Sequence, residues 1–227
     1  MMRKEAYEGV TSMQDFEDVL YKIEGEDLFM IATAEHPLTA MYMNETIDEK
    51  NIPLKMVGYS LCFRKEIGSK GVDTKGLFRV HQFPKVEQVI ISAPEDSWKY
   101  MEELIENAEE IFKELKIPYH IVNICTGDIG VVAAKKYDIE AWSPRQQKYV
   151  EVVSCSNCTD WQSRRLNIKI GKEGGEKRLA HTLNSTAIAL TRALVVIIET
   201  YLQKDGTIKV PDVLVPYMNG KTVIKLK

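Results

Sequence analysis

The chain has 227 residues, 44% of them apolar and 28% charged, and a formal net charge of −3. That length suits one sizeable domain with a full core, and the charge argues against a globally basic nucleic-acid surface while leaving a local patch open. The longest apolar run, 193–198, is too short to cross a membrane, and residues 1–6 carry no apolar signal region, so the expectation is a cytosolic protein with no membrane partner.

The first predicted element is a short helix over 15–21. An apolar strand follows at 27–33, and a helix over 36–44 with Pro37 in its first turn. Strands are predicted at 55–64 and 78–92. Residues 97–116 form the clearest amphipathic helix: Trp98, Met101, Leu104, Ile105, Ala108, Ile111, Phe112 and Leu115 recur at helical spacing between Glu and Lys. Pro94 precedes this helix and Pro118 ends it. Strands are then predicted at 119–124, 131–141 and 148–154. A hairpin over 166–170 and 177–183 turns around Gly171–Gly175. A long helix over 185–203 comes next, with a tail from Gly206 that carries Pro211 and Pro216.

Sequential strands with few helices between them favour an antiparallel sheet with helices packed against it, an α+β fold in a single domain. Neither G-x-G-x-x-G nor G-K-[ST] follows a strand, so a nucleotide would be gripped by side chains rather than by a glycine-rich loop. Cys155 and Cys158 form a lone C-x-x-C with no second ligand pair at zinc spacing, and read as plain thiols near a substrate site.

The side-chain grip is Phe63-Arg64-Lys65-Glu66, then after a loop Phe78-Arg79-Val80-His81-Gln82-Phe83. Guanidinium groups stay charged and hold phosphate oxygens in pairs, and an aromatic face can stack on a base. The plainer reading is a charged hairpin on a solvated surface. Thr33-Ala34-Glu35 and Glu87 could receive an ammonium group and a hydroxyl, although Thr33 alone reads as a strand-end residue near a helix cap. Glu151-Val152-Val153-Ser154 offers hard oxygen ligands suited to Mg²⁺; the plainer reading is an edge strand with surface polars. In Leu183-Asn184-Ser185-Thr186, opening the long helix, Ser or Asn would cap free amides. Arg192 lies in an otherwise apolar helix, where it is expensive unless it meets a ligand or an internal ion pair.

The linked wording of residues 63–66 and 78–88 resembles motif 2 of the class II aminoacyl-tRNA synthetases, and is closest to the seryl-tRNA synthetases. Residues 183–192 resemble motif 3. The resemblance implies an antiparallel sheet flanked by helices, and a ligase of protein biosynthesis that joins serine to ATP as seryl-adenylate and passes serine to tRNA(Ser). It implies ATP and Mg²⁺ as cofactors. By the same resemblance Arg64 and Arg192 are catalytic, and Arg64, Glu66, Arg79, Val80, Phe83, Glu151, Val152, Val153, Ser154 and Arg192 hold the nucleotide. Glu151 and Ser154 also meet the metal. Thr33, Ala34, Glu35, Arg64, Glu87, Asn184 and Thr186 form the serine pocket. Lys65, Lys70, Asp73 and Lys75 of the motif 2 loop would face the acceptor end of the tRNA. Many family members have Gly where Ser185 stands, which puts the backbone approach there in doubt.

The match starts after the family's helical tRNA-binding hairpin and after motif 1, which builds its usual homodimer. Residues 1–227 are therefore expected to be a catalytic core with motifs 2 and 3, shortened at its N-terminus, with dimerisation in doubt. Two readings of other kinds stand beside this one: a non-ligase paralogue or fragment kept as a nucleotide or amino-acid binding module, and an amino acid:carrier-protein ligase.

Overall fold

The computed structural model describes residues 1–66, 76–172 and 174–225; the loop residues Lys70, Asp73 and Lys75 lie outside the described residues. In chain order the elements are β1 (Met2–Arg3), α1 (Lys4–Val10), α2 (Met13–Phe16), β2 (Leu28–Phe29), α3 (Glu35–Ala40), β3 (Thr46–Asp48), β4 (Leu54–Phe63), β5 (Gln82–Ser92), α4 (Ser97–Glu114), β6 (Tyr119–Asn123), β7 (Lys135–Ser143), β8 (Lys148–Asn157), α5 (Trp161–Leu166), β9 (Lys169–Gly171), β10 (Lys177–Leu179), β11 (His181–Ala189), α6 (Leu190–Tyr201), β12 (Ile208–Lys209) and β13 (Val223–Ile224). Six of them form one antiparallel sheet in the order β4-β5-β11-β8-β7-β6.

One face of this sheet is closed by α4. Its stripe of Met101, Leu104, Ile105, Ala108 and Phe112 is buried against Ile90, Ile139, Val153 and Leu183. Each larger side chain removed from water there contributes roughly 1.5–3 kcal/mol. A second apolar cluster, with Tyr7, Leu20, Phe29, Leu166 and Ile170 at its centre, packs α1 and α5 against β2 and β9. Tyr7 ties α1 to the chain ahead of α3: its hydroxyl donates to the Met30 carbonyl and accepts from the Ala32 amide, both at 3.0 Å.

The structure departs from the sequence reading in several places. Residues 15–21 are not one helix: α2 ends at Phe16 and a 3-10 turn covers Glu17–Val19. The strand expected at 27–33 shrinks to β2, and α3 begins at Glu35 and ends before Tyr42. Residues 78–81 lie outside β5, and residues 131–134 outside β7. The largest correction is at 185–189. These residues continue β11 (His181–Ala189) and are not the first turns of a helix; α6 starts at Leu190 with Ala189 as an uncapped start. The small residues Ser185, Ala187 and Ala189 suit a helix, but β11 is hydrogen-bonded to β5 on one side and β8 on the other, and that pairing overrides local propensity.

Candidate functional site

The face of the sheet away from α4 opens into a cavity of about 700 Å³. Strand alternation decides which side chains reach it. On β5, Phe83, Lys85 and Glu87 sit two residues apart and line it; on β11, Asn184 and Thr186 do the same. Glu151 and Ser154 are three apart on β8 and should face opposite ways. The register shifts there, so that Glu151 opposes Glu140 while Val153 opposes Ile139, and the bulge at Val152 turns Glu151 and Ser154 to the same cavity.

Fourteen of the sixteen residues singled out in the sequence line this one space: Thr33, Glu35, Arg64, Glu66, Arg79, Val80, Phe83, Glu87, Glu151, Val152, Ser154, Asn184, Thr186 and Arg192. Ala34 and Val153 do not. Ala34 is buried under β4, where Gly58 leaves room for α3; a Cβ there would lie 3.0 Å from the Ala34 Cβ and 2.9 Å from Leu38. Val153 points the other way, into the core beneath α4. Each was selected because its neighbours in sequence were, and the backbone period sends it to the opposite side.

Three arginines line the cavity. Arg64 follows β4, its Nε donating to the Ala32 carbonyl at 3.3 Å and its guanidinium 5.6 Å from the centre of the Phe83 ring. Arg79 donates to Glu66 at 2.7 Å. Arg192, in the first turn of α6, donates to the backbone carbonyl of Glu151 at 2.9 Å and to its carboxylate at 3.1 Å, with the Phe78 ring 5.2 Å away. The internal ion pair offered as the plainer reading of Arg192 is thus present, but it lies in the cavity wall. No group of three or more His, Cys, Asp or Glu suited to a metal ion exists among the described residues. Glu151 and Ser154 are nevertheless hard oxygen donors on one face. Asp138 is directly opposite Ser154 on β7, with its Oδ1 buried and without a partner. Burial, then the Glu151 charge, pushes the Asp138 carboxyl up to about 6. That donor set suits a cation that takes its remaining ligands from phosphate oxygens and water.

A second part of the lining is acidic and more deeply buried. Thr33 Oγ1 accepts from the Glu35 amide at 3.2 Å, which fixes the turn into α3. Burial first, then the Glu87 charge, raises the Glu35 carboxyl to about 7. Glu87 is paired with Lys85 at 2.6 Å, and the Thr186 hydroxyl donates to it at 3.4 Å. Burial holds His36 neutral, its pKa lowered to about 3. Cys158 lines the cavity and accepts from the Asn184 amide at 3.5 Å, and burial keeps its thiol protonated. Cys62, Cys125, Cys155 and Cys158 are all free.

Sequence reasoning missed Lys85, His36, Phe78 and Lys136, all of which line the cavity. Lys85 could have been found, since it lies midway between Phe83 and Glu87 at strand period.

This arrangement has close counterparts. The profile of the tRNA synthetase class II core domain (G, H, P, S and T) matches residues 19–201. A serine–tRNA ligase of Methanocella arvoryzae is 61% identical over 222 residues, covering 97% of this chain and 52% of the relative. The crystal structure of seryl-tRNA synthetase from Pyrococcus horikoshii complexed with ATP is 58% identical with a TM-score of 0.96, covering 100% of this chain and 51% of that one. The cytoplasmic serine–tRNA ligase of Naegleria fowleri in complex with AMP is 46% identical with a TM-score of 0.93, covering 100% and 54%. The chain thus spans about half the length of the curated relatives it matches. The profile match and the shared antiparallel fold place it in the family of class II tRNA synthetase core domains.

Proposed function

We propose that this chain is the catalytic core of a serine–tRNA ligase, with motifs 2 and 3, activating serine with ATP and passing it to the acceptor end of tRNA(Ser). The observation that carries the reading is that one cavity is lined both by guanidinium groups and by buried carboxylates: Arg64, Arg79 and Arg192 with Glu35 and Glu87.

In this reading the serine ammonium meets Glu35, and the serine hydroxyl meets Glu87 and Thr186, with Thr33 and Asn184 completing the pocket. A serine carboxylate oxygen attacks the α-phosphorus of ATP. The new acyl–phosphate bond forms as the bond to the bridging oxygen breaks, and pyrophosphate leaves with that electron pair. Arg64 holds the carboxylate and the α-phosphate together, which offsets the charge that grows on the equatorial oxygens. Arg192 faces the departing phosphates, Phe83 supports the adenine, and Glu66, Arg79 and Val80 orient the nucleotide. In the second step a terminal tRNA hydroxyl attacks the seryl carbonyl, and AMP leaves. Mg²⁺, when bound, would neutralise charge on the phosphates, with Glu151 and Ser154 as its protein donors.

The reading places the enzyme in the cytoplasm; no helix among the described residues is long and apolar enough to cross a membrane. A homodimer, usual in the family, would cover Val57, Tyr59 and Leu61 on the edge strand β4, which are 69%, 68% and 43% exposed.

Isothermal titration with a non-hydrolysable seryl-adenylate analogue, 5′-O-(N-seryl-sulfamoyl)adenosine, tests the site itself. Tight binding that falls about 100-fold or more in Arg64→Ala is expected. No binding, or equal binding of the variant, would leave a site of some other specificity.

A further inference from the structure

Gln162 lies on α5, outside the cavity lining, and is 1% exposed. Its side chain joins three other parts of the fold. Nε2 donates to the Glu35 carboxylate at 2.9 Å and to the Val10 carbonyl at the end of α1, also at 2.9 Å. Oε1 accepts from the Thr182 hydroxyl of β11 at 2.6 Å. A carboxylate and a backbone carbonyl can only accept, so the amide NH2 must face them, and its orientation is fixed by chemistry. A buried amide with every group satisfied is rigid, and rigid neighbours are what aim a functional side chain.

We propose that Gln162 is a positioning residue for amino-acid recognition: clamped by Val10 and Thr182, its amide holds the Glu35 carboxylate ionised and aimed at a substrate ammonium. The inference rests on the reading of Glu35 as the ammonium anchor.

The groups around Glu35 set how this is observed. Glu87 and Lys85 face it from β5, Arg64 from the end of β4, Tyr7 from α1, Cys158 from the chain after β8, and its neighbour His36 lies on α3. Burial keeps His36, Tyr7 and Cys158 neutral through neutral pH, while Glu35 titrates at about 7. Among the influences that favour the ionised form of Glu35, the Gln162 hydrogen bond is the largest, ahead of Lys85 and Arg64. An ammonium ligand binds the ionised form, so its affinity rises with pH through about 7 and falls about tenfold per unit below it.

The test measures, from pH 5.5 to 8.5, the affinity for the seryl-sulfamoyl adenosine analogue, which carries the ammonium, and for AMP, which does not. In Gln162→Met the pH midpoint for the seryl analogue should move up by about one unit, so that affinity at pH 7 drops about fivefold, with AMP affinity unchanged. Gln162→Glu keeps the volume, and serves if the first variant fails to fold. It turns an acceptor toward Glu35 and should move the midpoint the same way. A midpoint that stays in place, or an equal loss of AMP affinity, would overturn the inference and leave Gln162 a packing residue. Glu35→Gln separates the two readings. If it retains the seryl analogue at wild-type affinity, the anchor reading falls and takes this one with it. If it removes the pH dependence while both Gln162 variants keep the wild-type midpoint, the role of Gln162 alone falls.

Discussion

Lys85 is the residue on which the acidic part of the cavity lining depends. Its ammonium lies 2.6 Å from Glu87, and the two side chains are only 8% and 2% exposed. Lys85→Met fills similar volume but leaves a buried carboxylate whose other polar contact is the 3.4 Å hydrogen bond from Thr186. Breaking one side of a buried ion pair costs about 3–5 kcal/mol, a large share of the roughly 5–15 kcal/mol that holds a domain folded. Adding Glu87→Gln neutralises the orphan and should return the double variant to within about 1 kcal/mol of the parent, because an amide can still accept from Thr186. Urea unfolding of the four proteins at pH 7.5 gives the cycle, and a coupling of at least about 2 kcal/mol is expected. If Lys85→Met alone costs less than about 1 kcal/mol, as an exposed pair would, then Glu87 is already solvated and cannot be the dry acceptor assigned to a substrate hydroxyl.

Two further outcomes follow from the same geometry. Glu35 ionises at about 7 rather than in the ordinary carboxylate range, so its ionisation opposes folding of the empty site. The stability that a protonated Glu35 preserves is present at acid pH and lost as pH rises through about 7. Its carboxylate is crowded by protein on all sides but the cavity, where water screens part of the repulsion. Glu35→Gln should therefore raise the stability of the ligand-free protein at pH 8 by about 1–2 kcal/mol in thermal melts, with no gain at pH 4, while the proposed anchor role predicts weaker seryl-analogue binding. At Gly58, Ala would drive its Cβ to 2.9 Å from Leu38 and 3.0 Å from Ala34, pushing α3 and the Glu35 it begins away from β4. A loss of about 1–3 kcal/mol in urea unfolding, together with weakened seryl-analogue binding, is expected.

How much of this could be read from the sequence depended on which physical signal each residue carried. The stripe of α4 was legible because burial on one side imposes helical spacing over 18 residues. α1 and α5, of seven and six residues, are too short to show a period. Residues 185–189 of β11 were mistaken for a helix because their small side chains favour one, and only the strands on either side decide otherwise. At the site, the wording of the motifs picked out fourteen residues that line one cavity. The facing of Glu151 with Ser154 could not be read, since it needs a bulge that leaves no mark in composition. Gln162 gave no signal at all: its partners Val10, Glu35 and Thr182 are up to 152 residues away in sequence.

The central claim is that this cavity activates serine. Amino-acid-dependent exchange of pyrophosphate into ATP, with serine compared against alanine, glycine and threonine, addresses it directly. Alanine brings no hydroxyl to Glu87 and Thr186, so serine should support exchange at least about 10³-fold better than alanine, and Arg64→Ala should abolish it. Exchange with alanine within tenfold of that with serine, or none with any amino acid while ATP still binds, would contradict the account.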